Sequence, residues 1–307
     1  MRAARPLVAS LAVLAVACGD APPPSEAPAE PAAAPQATSL LGEALYARED
    51  TTGEIARADS ALAAAPDDVE LLIAAGRARR NAWQYREEIA RYTRALELAP
   101  EDWRPWRYRG HRFISVREFD DAVRDLERAR ELAPHNWDVS YHLGLAYFVS
   151  GRFGDAADEY LRCLGLAADA GAKAADAEDF RSCSRNGGDP DSRVAMTEWA
   201  ARALLRAGRG AEAEALAAAV PADLEVGENL SYYHDLLYAK GLKGADELLN
   251  LGPDAPYRLE TVGFGVATRL LAAGDTARAL EVFRQIAADP WWPGFGRIAA
   301  EAELARR

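Results

Sequence analysis

Between residues 69 and 168 the apolar positions recur with two periods at once. The short one is helical. Leu143, Gly144 and Tyr147 share one face, Gly151 interrupts the run, and Phe153, Ala156, Ala157 and Tyr160 line up on a second face. These i, i+3, i+4, i+7 spacings predict two consecutive amphipathic helices separated by a glycine turn. The long period is 34 residues. It carries Pro66 to Pro100 to Pro134, Gly76 to Gly110 to Gly144, and Tyr85 to Phe119 to Phe153. It also carries Tyr92 to Leu126 to Tyr160, and Ala95 to Ala129 to Cys163.

Each 34-residue unit therefore reads as helix, turn, helix, stop. The glycine and the small residues Ala156 and Cys163 let helices approach closely, and the proline ends the unit because it cannot continue a helix. One such unit cannot bury its own apolar side, so neighbouring units must stack. The columns resemble those of the tetratricopeptide repeat, and YREEIARYTRALELAP and FDDAVRDLERARELAP are similar to its second helix. The resemblance implies an all-α, helix-turn-helix solenoid, wound as a right-handed superhelix with a concave face.

The pattern weakens on both sides of this stretch. An N-terminal array is expected over 39–168, with Ser39 to Ala64 as a leading helix or partial repeat. Residues 169–307 are expected to hold degenerate repeats: one from Ala195 to Val220, two short irregular helices between Asn229 and Leu251, and a clearer unit placing Gly274, Ala279 and Phe283 in register. Pro293 to Arg307 reads as a polar-backed capping helix, with Trp291 and Trp292 wedging it onto the last repeat.

The first 38 residues follow another logic. Arg2 and Arg5 precede an apolar run from Leu7 to Ala17, too short for a bilayer core that needs roughly 20 residues. Small residues and Cys18 close it, the layout of a secretory signal peptide over 1–17. LAVAC-GD resembles the lipobox of bacterial lipoproteins, which implies acylation of Cys18. Gly19 after it resembles an outer-membrane rather than an inner-membrane destination. Residues 18–38 would then be the lipidated cysteine and a disordered Pro/Ala-rich linker. The expected location is the bacterial cell envelope, lipid-anchored and facing the periplasm.

Charge narrows the partners. The formal net charge is −12, and losing residues 1–17 removes two arginines and takes it to −14. Nucleic acid is thereby disfavoured, because affinity for it comes mainly from cations meeting phosphates, and membrane contact is expected through the lipid alone. Alanine and leucine dominate, in keeping with helices.

Candidate chemistry is sparse. His111, His135, His142 and His234 form no metal-binding spacing, and no nucleophile elbow or phosphate loop occurs. No enzyme activity, metal or cofactor is expected. In tetratricopeptide proteins the first helix of each unit lines the groove, which implies partner contacts at Arg77, Arg80, Asn81, Arg104, Arg107, His111 and Tyr141. Such arginines suit a carboxylate or an acidic peptide. Glu88 and Arg109, both in columns facing the packed interior, are expected to form a buried ion pair. Cys163 and Cys183 remain after Cys18, and a disulfide between them is one reading, core packing of Cys163 the other. By resemblance, the protein is an adaptor for other envelope proteins or peptides, with homodimers known among such lipoproteins. The alternative is a structural subunit of a secretion- or pilus-type machine.

Overall fold

A computed structural model describes residues 34–169, 181–250 and 259–307. The signal peptide, Cys18 and most of the Pro/Ala-rich linker fall outside the described residues. Pro35–Arg307 is one compact unit. It opens with a short antiparallel ribbon, β1 (Ala37–Thr38) and β2 (Ala44–Leu45), pairing Ala37 with Leu45, and then α1 (Glu54–Ala64). The leading segment is thus part ribbon and part helix.

Three two-helix units follow: α2 (Val69–Ala78) with α3 (Tyr85–Leu98), α4 (Trp103–Ser115) with α5 (Phe119–Leu132), and α6 (Trp137–Val149) with α7 (Phe153–Leu166). The 34-residue step has a local cause at each joint. Asp68, Asp102 and Asn136, two residues after the prolines, accept hydrogen bonds from the first free amides of α2, α4 and α6. A proline that stops one helix and a cap that starts the next define the unit boundary. Inside each unit, a Cβ on Gly76 would strike the Tyr92 ring, one on Gly110 the Leu126 side chain, and one on Gly144 the Tyr160 ring. Two of the columns are therefore one contact repeated.

The turn within each unit needs a left-handed residue. Gly151, Gly208, Gly241 and Gly274 supply it in later units, but Trp83 (φ 55°) and Arg117 (φ 66°) stand there in the first two. A side chain in that conformation costs about 1 kcal/mol or more, so both positions point to a compensating contact.

Beyond α7 come α8 (Cys183–Asn186), α9 (Pro190–Arg206) with α10 (Gly210–Ala218), α11 (Leu230–Ala239) with α12 (Ala245–Leu249), α13 (Leu259–Ala272) with α14 (Thr276–Ala287), and α15 (Phe295–Ala305). No helix among the described residues is long and apolar enough to cross a membrane. A buried charge network ties three of these helices: Arg202 pairs with Glu198 (3.0 Å) and Asp235 (2.7 Å), and Arg269 with Glu198 (2.5 Å).

The last helix departs from expectation. It is no polar-backed cap: Gly296 to Glu303 are all buried. α15 packs chiefly on α14 and α13 of the last unit and also reaches α6 and α4, so it closes the stack while bearing on the early units. Its fixings explain the two strained turns. Arg117 donates to both Glu301 carboxylate oxygens (3.0 and 2.7 Å), and Trp83 meets Trp291 and Trp292 edge-on at centroid distances of 5.2 and 5.4 Å. The two tryptophans meet the first repeat, while α15 itself packs on the last. The ribbon joins the same junction: Trp292 Nε1 donates to the Tyr46 carbonyl at 3.0 Å, and Arg297 pairs with Glu43.

Candidate functional site: an arginine-lined pocket

Helix α4 carries the sequence WRPWRYRGHRFIS, whose inner face presents Arg107, His111 and Arg112. Next to it, Arg77 on α2 and Arg80 in the short turn after it come from the first unit, and Trp137 and Asp138 begin the third. These side chains surround a cavity of about 410 Å³. Glu88, Tyr92 and Tyr108 form its floor, and Arg181 and Asn186, at either end of the α8 segment, close one wall.

Five arginines line the cavity against two carboxylates, in a chain of net charge −12. The arginines differ in how they are held. Arg107 Nη2 binds Asp138 Oδ1 at 2.6 Å and reaches the His142 ring at 3.2 Å, while its Nε, buried, has no partner. Arg112, 4% exposed, lies over the Tyr85 ring and meets Glu88 only at 3.7 Å, beyond hydrogen-bond length. Arg77 and Arg80 are exposed at the mouth and have no side-chain partner among the described residues.

The titratable groups follow from this crowding. Burial pushes the Glu88 carboxyl up to about 7, against the pull of Arg112 and the Tyr92 hydroxyl, which donates to it at 3.2 Å. Burial and the neighbouring Arg107 drop His142 to about 3, and burial with Arg112 takes His111 well below the ordinary imidazole value. Both rings are therefore neutral near pH 7 and stack at 4.3 Å. Burial works against ionised Asp138 too, but Arg107 and His142 outweigh it and hold the carboxyl below its usual range.

The structure divides the expected groove residues. Arg77, Arg80, Arg107 and His111 converge on the cavity. Arg104 turns away into bonds with Asp102 (2.6 Å) and Glu70 (2.5 Å), which occupy its guanidinium. Asn81 is exposed outside the cavity. Tyr141 faces the C-terminal half, its hydroxyl 3.2 Å from that of Tyr232.

The ion pair expected between Glu88 and Arg109 is not formed. Arg109 is held by Asp125 (2.6 Å) and the Thr93 hydroxyl (3.0 Å), and the cation beside Glu88 is Arg112. The 34-residue register contained the signal, because Arg112 interrupts a column that is alanine at Ala78 and Ala146, just as Glu88 interrupts one that is alanine at Ala122 and Ala156. Arg112 lies one turn of α4 beyond Arg109 and reaches over the Tyr85 ring toward α3, whereas Arg109 reaches Asp125 on α5.

Cys163 on α7 and Cys183 at the start of α8 are joined, with Cα atoms 5.2 Å apart. The bond reinforces backbone hydrogen bonds from Trp137 to Arg181 (2.8 Å) and from Cys183 to His135 (2.7 Å). All three hold the wall segment against α6 and α7.

A family model for the tetratricopeptide repeat matches residues 109–179. The chain carries tetratricopeptide repeats. The matched stretch takes in α5, α6, α7 and most of α4, so three of the pocket's arginines sit within or next to these repeats. No curated protein matches the chain. Among solved structures, one that matches is described as "Structure of Naa15/Naa10 bound to HypK-THB", at 18% identity and a TM-score of 0.28, over 78% of this chain. This chain spans 41% of that longer one.

Proposed function

We propose that this protein is a non-catalytic scaffold that holds other proteins of the bacterial envelope, tethered there through acylated Cys18. The carrying observation is the tandem two-helix stack over 69–166, an architecture that sets helix faces side by side as a binding surface. The LAVAC-GD sequence and the proline-rich stretch after it support the tether and an outer-membrane location. Partner contact is assigned to the mouth of the arginine pocket, where Arg77 and Arg80 stand exposed and unpaired.

A free-standing adaptor is favoured over a permanently embedded subunit by the distribution of apolar surface. Among the described residues the large exposed apolar side chains are Leu40, Leu41, Tyr46, Leu98 and Leu242, and three of these belong to the N-terminal ribbon. An embedded subunit would expose a wider apolar patch when isolated. Affinity capture from native membranes tests the reading, comparing the wild type with Arg77→Glu/Arg80→Glu and Cys18→Ala. The adaptor reading expects defined partners lost with the charge reversal, and release of the chain from membranes with Cys18→Ala. Identical capture and continued membrane association in both variants would remove it.

A further inference from the structure

The arginine pocket is shaped for something smaller than a protein chain. In an open repeat stack the inner face runs on from unit to unit and an extended peptide can follow it. Here α15 lies on that face: Phe295 packs against His111 at 5.1 Å and His142 at 5.8 Å. On another side the segment bearing Arg181 and Asn186 forms a wall, fixed by the Cys163–Cys183 bond. What remains is a recess of about 410 Å³, within the roughly 300–1,000 Å³ typical of small-molecule sites.

We propose that this recess is a receptor for a compact organic acid, a small molecule bearing one or two carboxylates on a short apolar body. This goes beyond the scaffold reading and stands without it. Arg112 is nine-tenths buried and lines the recess, beside Tyr85 and with the Glu88 carboxylate 3.7 Å away. A buried guanidinium nitrogen without a partner is costly, as at Arg107 Nε, and a planar carboxylate can satisfy guanidinium donors through two parallel bonds. Arg77 and Arg80 add unpaired charge at the entrance, and the orphaned Nε of Arg107 offers a further donor. The aromatic surfaces of Tyr92, Tyr108 and Trp137 suit the ligand's apolar part.

A carboxylate is preferred to phosphate because Glu88 and Asp138 already stand in the recess. Their negative charge opposes a single head group bearing two charges about twice as strongly as one bearing a single charge, and in a dicarboxylate the two charges sit on separate groups. The same repulsion sets a pH signature. Glu88 is faced by Tyr85 and Tyr92 of its own helix, by Arg112 of α4, and by Arg79 and Arg80 after α2. An incoming anion favours protonated Glu88, so binding takes up a proton and is tighter at pH 6 than at pH 8.

Titration calorimetry on the intact protein tests this with succinate, glutarate and phthalate, beside inorganic phosphate and a C-terminally amidated tri-glutamate peptide. At least one free acid should bind with a Kd of about 1 mM or tighter. Binding should weaken about tenfold or more in Arg77→Gln/Arg80→Gln, whose surface positions leave the core intact, and again between pH 6 and 8. Absence of binding by all three acids would overturn the proposal. So would phosphate or the peptide binding more tightly than every acid, or affinity unchanged in the double variant. Partner capture is scored separately, so loss of acid binding alone leaves the scaffold reading standing.

Discussion

Glu88, 2% exposed, and Arg112 show how a single pair shapes both stability and recognition. Burial lifts the Glu88 carboxyl from its ordinary 4.5 to about 7. The fold therefore favours the protonated form, a contribution complete below pH 4.5 and lost as pH rises through 7. Glu88→Gln should remove that decline, so that relative to the variant the wild type loses on the order of 3 kcal/mol between pH 5 and 8. Urea unfolding at a series of pH values measures it. The buried histidines act in the opposite sense. His111 and His142 are held neutral, so their contribution is present above pH 6.5 and fades as the solution becomes more acid. At the other junction, Arg117 and Glu301 are 2% and 0% exposed. Removing the shared carboxylate, as in Glu301→Leu, strips both Arg117 and Arg297 and should cost about 3–5 kcal/mol, more than Arg117→Met, after which Glu301 keeps Arg297 at 3.1 Å. Thermal unfolding of the three proteins distinguishes these outcomes.

At the scale of helices, the repeat was legible because every boundary has a local cause. Capping side chains, stopping prolines and the glycine–aromatic contact all recur at the 34-residue step, and no long-range information is needed to find them. What could not be read was which deviant residues meet. Glu88 stands out in its column, yet register pairs it with Arg109, whereas Arg112, one turn further along α4, makes the approach. Trp83 and Arg117 were also deviant, standing where Gly151 stands in the third unit. Their partners lie some two hundred residues away, where no periodicity points. The α8 segment gives a prediction at this scale. Its disulfide spans 20 residues, and opening a loop of that length should cost about 3 kcal/mol. Cys163→Ala/Cys183→Ala, or reduction by dithiothreitol, should lower the unfolding midpoint accordingly. It should also weaken any ligand of the arginine pocket, because Arg181 and Asn186 lose one of their fixings.

Across the whole molecule, closure replaces the open ends expected of a solenoid. Linear stacks fray from their termini, since each unit touches only its neighbours. Here Trp292 sits among Trp83, Tyr85, Ala37 and Leu45, so the first and last units protect each other. Residues 35–307 should consequently unfold in one cooperative step. Truncation after Ala288 should expose Trp83, shift its fluorescence to the red, and broaden the transition into more than one phase. A chain lacking α15 that unfolds as sharply as the full protein would contradict this. The same closure explains why the candidate site was only partly legible. Sequence register places residues on an inner face, but only the folded chain reveals that Phe295 of α15 packs on that face at His111 and His142.

The bolted junction has a mechanical side. The ribbon is the first described element, so a pull applied from its N-terminal side would enter the fold at Gln36, whose side chain and carbonyl accept hydrogen bonds from Arg86 at 2.8 Å. From there the load spreads at once into the Trp292 and Arg297 contacts with Tyr46 and Glu43. Tension would be resisted in shear by the first and last described elements together, and not by peeling helices off one at a time.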